Sequence, residues 1–160
     1  MKRFYVFALA ALCLCLAACS GGKEEYKDDI SASELASAVD AVIDSSDMIA
    51  MEDSYLQNAM QLEPADFAEY VVKINSKGVN IDEYGIFAAP DTDSVQQVQD
   101  AAEGYLQLRK DTWMPEYMPE ELPKLENARV KTCGRYVMYA ILSDDAADAA
   151  FAAFEDALKA

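Results

Sequence analysis

Histidine is absent from the 160 residues, and tryptophan occurs once. Without imidazole the chain cannot activate a serine or cysteine nucleophile in the usual way. It also lacks the commonest metal ligand and the one side chain that ordinarily titrates near neutral pH. No metal site and no cofactor are expected. Basic residues are scarce too: 13 Lys and Arg against 29 Asp and Glu give a formal charge of −16. A charge of that sign and size repels phosphate backbones and argues against nucleic acid as a partner. The chain has no polybasic stretch that would lay it flat on anionic lipid. The acid excess reads as a solubility device.

Cysteine is unevenly spent. Of four residues, Cys13, Cys15 and Cys19 crowd the N-terminus and only Cys133 lies elsewhere. Lys2 and Arg3 precede an apolar run of 13 residues, Phe4 to Leu16, which is short for a permanent membrane span. The run leads into Leu16-Ala17-Ala18-Cys19. This arrangement resembles a bacterial lipobox, which implies cleavage before Cys19 and acyl chains on its sulfur. Residues 1–18 are therefore expected to be a lipoprotein signal peptide. Removing Lys2 and Arg3 with it leaves 11 basic against 29 acidic residues, a net −18. Each buried methylene contributes about 0.8 kcal/mol, so two or three acyl chains hold a protein on a membrane stably. Residues 19–30, with Ser20-Gly21-Gly22 and a charged run, are too polar to pack and are expected to form a flexible tether. The expected location is the outer face of the bacterial cytoplasmic membrane, with residues 31–160 as one domain.

In that domain, Ser31 and Glu34 have the spacing of a capping box, with Ile30 and Leu35 placed as a hydrophobic staple. A helix follows, with Leu35, Ala38, Val39, Val42 and Ile43 on one face. Residues 48–62 are weakly periodic and read as helical turns. Strands are expected at 69–76 and 84–89, then a helix capped by Asp93 with Val95, Val98, Ala102, Tyr105 and Leu106 as its apolar stripe. Tyr117 to Leu122 leads into a short helix. Strands at 129–132 and 135–142 flank a Cys133-Gly134 turn, and an alanine-rich helix begins at Ser143-Asp144-Asp145. The expected fold is α+β: a four-stranded, mainly antiparallel sheet with helices on one face, in ββα-ββα order behind an N-terminal helix. Phe87 and Tyr139, Asp93 and Asp145, and Leu106 and Leu158 share an offset of 52, which raises the question of an internal duplication.

The stretches IDEYGIFAAPDTDSVQQVQDAAEGYLQ and YMPEELPKLENARVKTCGRYVMYAILSDDAADAAFAAF, behind a lipobox, resemble the DUF4358 family of bacterial lipoproteins. This chain has Asp82-Glu83-Tyr84 where the family tends to Asp-Glu-Ile, and Gly134-Arg135-Tyr136 where Gly-Asn-Tyr is common. The family carries no assigned activity, so the resemblance implies location and architecture only.

Candidate chemistry is thin. Lys131 and Arg135 flank Cys133, but no base accompanies it, and a turn thiol is the plainer reading. Asp91-Thr92-Asp93 begins like a calcium loop, yet Val95 and Gln96 stand where that loop needs other residues, and helix capping explains the aspartates better. Trp113, Met114, Tyr117 and Met118 form the one cluster of large apolar groups in a proline-rich connection. Such groups can make a recognition surface. The plainer alternative is that they plug the end of the sheet. The expectation is a non-enzymatic envelope module whose partner is another envelope protein or a small ligand. A small hydrolase using paired carboxylates is the alternative.

Overall fold

A computed structural model describes residues 25–114 and 116–160. The expected signal peptide and Cys19 lie outside the described residues. Helix α1 spans Ala32–Asp40, and Ser31 caps it as its sequence predicts. The Ser31 side chain accepts from the Glu34 N–H, and the Glu34 carboxylate accepts from the Ser31 N–H at 3.1 Å. Those hydrogen bonds hold the Glu34 carboxyl below the usual carboxylate range. The helix ends earlier than its apolar stripe suggests, so Val42 lies 48% exposed and Ala36 is buried in place of Ala38.

The described residues form five antiparallel strands in the order β1-β2-β3-β5-β4. They are β1 Met48–Ala50, β2 Glu69–Asn75, β3 Glu83–Ala88, β4 Arg129–Cys133 and β5 Tyr136–Ile141. The fifth strand, β1, corrects the expectation of four. Met48–Ala50 is too short to show any alternation, so its helical reading followed from the turns after it. Those turns do form: α2 Asp53–Tyr55 runs into a π-helical segment, Leu56–Met60, which Gln61 closes in the left-handed region. The remaining helices are α3 Val95–Asp111, α4 Leu122–Glu126 and α5 Asp144–Leu158. At the start of α3 the Asp91 carboxylate, rather than Asp93, accepts from the Ser94 N–H (2.8 Å) and hydroxyl.

Helices cover both faces of the sheet, not one. Tyr84, Ile86 and Ala88 of β3, with Tyr136, Met138 and Ala140 of β5, pack against α1 and α5. The alternate residues Phe87, Val137, Tyr139 and Ile141 pack against α3, α4 and the π-helical segment. Every residue of β3 and β5 is buried. That is why these strands read as unbroken apolar runs, the pattern of a strand covered on both sides. The arrangement also speaks against a duplicated ββα unit. Phe87 and Tyr139 share one face of the sheet, but α3 packs on that face and α5 on the other. Two ββα copies related by a two-fold through the sheet would put both helices on one side.

Within the expected tether of residues 19–30, Tyr26 and Ile30 pack against the core, because their apolar side chains find cover there, and the Tyr136 hydroxyl donates to the Ile30 carbonyl. The chain thus enters the described fold earlier than expected, at the hairpin end. Tyr26 bridges to Lys159 beyond α5, and the Lys27 N–H donates to the Leu158 carbonyl at 2.8 Å. Tyr26 lies over Gly134, which turns the β4–β5 hairpin at φ +58°. A Cβ on Gly134 would sit 3.1 Å from Tyr26 Cβ, so glycine serves both the turn and the contact.

Candidate functional site

At the opposite end of the sheet, β3 begins with the one buried charged side chain among the described residues, Glu83, 2% exposed. Its register partners are Ile74 on β2 and Ile141 on β5, so the carboxylate lies between apolar neighbours and is hydrogen-bonded by side chains from α3 and β5. Three donors reach it. The Tyr105 and Tyr139 hydroxyls each donate to Glu83 Oε1 at 2.6 Å, and Arg109 Nη1 pairs with Oε2. Arg109 Nη1 also donates to the Tyr105 oxygen at 2.9 Å. The Tyr105 proton is committed to Glu83, so Tyr55, 3.3 Å away, is the donor in the Tyr55–Tyr105 contact.

Each member is placed by an identifiable local choice. Tyr105 and Arg109 are four apart on α3 and share its sheet-facing side. Tyr139 pairs directly with Gly85 across β3 and β5. Its ring fills the space a side chain would take: a Cβ on Gly85 would fall 2.2 Å from Tyr139 Cε1. Glycine here lets the phenol lie across β3 and reach Glu83. The Tyr105 and Tyr139 rings meet edge to face at 5.4 Å between centroids. Burial, then the charge of Glu83, pushes both phenols well above their ordinary pKa. Burial alone would lower Arg109, but Glu83 and the Tyr105 oxygen outweigh it and raise it.

A cleft of about 150 Å³ opens beside this cluster, lined by Tyr55, Ile74, Asn75, Asn80, Glu83 and Arg109 among others. Its rim is pinned from α4. Lys124 pairs with Asp82 and Glu121 at 2.7 Å each, and the Ile81 N–H donates to Glu121 at 3.1 Å. Arg109, with about a quarter of its side chain exposed, holds Glu83 and the Tyr105 oxygen through Nη1 and also lines the cleft. The arrangement suits holding a polar group against a fixed guanidinium. The cluster's oxygens are all hydrogen-bonded to one another or to Arg109.

The Trp113 group sits at this same end, just past α3. Trp113 is partly buried against the core, with its ring 6.2 Å from that of Tyr117. Met114 and Tyr117 are 65% and 53% exposed, and Met118 takes a left-handed φ of 47° before the turn into α4. The group is thus split: Trp113 plugs the core, while Met114 and Tyr117 face solvent. The Trp113 indole N–H is buried and has no hydrogen-bond partner among the described residues.

Cys133 is buried at the hairpin. Lys131, two residues before it, pairs with Glu155 of α5. Asp148 pairs with Arg129, and Asp144 accepts from Asn127 at 3.0 Å. The α5 aspartates thus serve local contacts as well as the helix start.

Sequence reasoning missed the Glu83 cluster. Glu83 falls just ahead of the strand expected at 84–89, and Arg109 falls outside the apolar stripe expected for the following helix. The available signal was the position of Arg109, four residues after Tyr105 on the buried stripe.

No helix among the described residues is long and apolar enough to cross a membrane. The family model of DUF4358, a domain of unknown function, matches residues 41–142. That range runs from the end of α1 to the end of β5, and so includes the whole Glu83 cluster and the Trp113 group. No curated protein and no solved structure matches the chain.

Proposed function

From the premise that this chain belongs to the DUF4358 family, we propose that it is a lipid-anchored binding or accessory module of the bacterial cell envelope, non-enzymatic and held outside the cytoplasmic membrane by acyl chains on Cys19. One observation carries the reading. The chain enters the fold at the hairpin end, where Tyr26 meets Gly134 and Lys159. The polar cleft and the exposed Met114 and Tyr117 lie at the other end, a strand length of roughly 17 Å away. An anchor at Cys19 then leaves the cleft and the aromatic group facing away from the lipid, where an envelope protein or a small ligand can reach them. The acid excess suits this placement, since a body left at −18 once Lys2 and Arg3 are removed is repelled by anionic headgroups.

Metabolic labelling of the full-length chain with an alkyne fatty acid tests the anchor. Label is expected in the membrane fraction and is lost in Cys19→Ala, with the protein accessible to protease added to intact protoplasts. Unlabelled protein in the cytosol overturns the proposal. The hydrolase alternative is tested on cell-wall glycans. Turnover abolished by Glu83→Gln, in a variant that keeps its fold, replaces the binding role with catalysis.

A further inference from the structure

We propose that β1 is a docking edge, at which an extended segment of another protein, alternating basic and apolar residues, adds as a further strand. The hydrogen-bond register leaves this edge open. The Ser76 N–H donates to the Asp47 carbonyl and the Met51 N–H to the Val72 carbonyl, each at 2.8 Å. With Ile49 opposite Ile74, the alternation of an antiparallel ladder turns the backbone groups of Ile49 toward β2 and those of Met48 and Ala50 outward. The Met48 N–H is taken by the Ser45 carbonyl at 3.0 Å. Ala50 therefore presents both its N–H and its C=O at the open edge, and Met48 its C=O.

The side chains favour an incoming strand as well. Ile49 is 50% exposed, and a groove of about 500 Å³ runs beside it, lined by Ile49, Met51, Glu52, Tyr55, Asn58 and Ala59. Apolar side chains of an added strand would lie along that groove, because alternate residues of a strand face one way. The far edge of the sheet is closed to such pairing. On β4, Arg129 pairs with Asp148 and Lys131 with Glu155, and charged side chains are how sheets block edge pairing. Met48–Ala50 carries no charge.

Charge selects the occupant. Asp44, Asp47, Glu52 and Asp53 bracket β1, and a single cation, Lys77, serves both Asp47, with which it pairs, and Asp44. Asp53 accepts only from the neutral Tyr70 hydroxyl, so the group keeps a net negative charge. A second copy would bring the same acids against themselves, on a body of charge −16. A basic strand neutralises them. This mode of recognition takes its affinity from main-chain hydrogen bonds and its specificity from alternate side chains.

The test uses a labelled heptapeptide of alternating valine and lysine, its valine–glutamate counterpart, and the full-length chain. The lysine peptide is expected to bind with a Kd below about 1 mM. Salt should weaken that binding, since the attraction is between exposed charges. Ala50→Pro removes the outward N–H without touching the inner ladder, and Ile49→Lys places a like charge on the edge. Each is expected to weaken binding about tenfold or more, a loss of roughly 1.4 kcal/mol. Failure of the lysine peptide to bind below about 1 mM overturns the proposal. So do equal binding of the glutamate peptide, wild-type affinity in folded Ile49→Lys, and a dimer joined through β1 without peptide.

Discussion

Taking the Glu83 carboxylate out of water carries a desolvation cost of several kcal/mol unless lost hydration is replaced. Two phenols and a guanidinium replace it here, and the dependence on them is asymmetric. Arg109→Met leaves a buried carboxylate without its counter-charge and is expected to cost about 3 kcal/mol, read as a lower urea midpoint. Adding Glu83→Gln to that variant removes the orphaned charge and is expected to recover part of the loss. A double variant less stable than Arg109→Met alone would mean that the phenols, and not the ion pair, hold the site together. The residue scale is where sequence was least informative. Nothing in Asp82-Glu83-Tyr84 distinguishes a buried acid from a turn acid, because the partners lie 22, 26 and 56 residues away.

At the scale of elements, local signals served where local physics decides. The Ser31–Glu34 box, the Gly134 turn and the first turn of α5 all involve residues within a few positions of one another, and each forms as its spacing predicts. β1 did not announce itself, since three residues carry no usable period. The β3–β5 pair shows a different limit. Gly85 looks like a weak point in an apolar strand, yet the Tyr139 ring occupies the space above it. Gly85→Ala drives a methyl into that ring and is expected to cost about 1–3 kcal/mol in a denaturant melt. The same change should disturb the Tyr139 hydroxyl at Glu83, so tyrosine fluorescence should shift together with stability. An unperturbed midpoint would show that β3 and β5 slide apart easily, against the close pairing described here.

For the whole molecule, the sequence conveyed α+β composition and the positions of β2 to β5, but not β1 or the number of layers. The apolar runs of β3 and β5 were the clue that both faces are covered, and a capped amphipathic helix does not disclose which face it will take. Burying so many phenols has a pH consequence. Tyr55, Tyr84, Tyr105 and Tyr139 are all raised, chiefly by burial, and Tyr70 is pushed up to about 12 by burial and its hydrogen bond to Asp53. The folded state thus keeps these protons when unfolded tyrosines, with an ordinary pKa of about 10, release theirs. Stability is therefore whole below about pH 10 and falls as pH rises through the raised values, because the native state binds more protons. Denaturant melts at several alkaline pH values, read beside tyrosinate absorbance, should show a block of phenols that ionises only as the fold is lost. Smooth ionisation of every tyrosine in an intact fold would contradict that burial.

Two oily compartments, one under α1 and α5 and the other under α3, share a single partition made of β3 and β5. Each compartment is closed on its outer side by its own helices, but the partition cannot lean without opening both. Loss of structure should accordingly spread from the rim strands inward and then finish in one step, with the amide hydrogens of the two central strands the last to exchange with water.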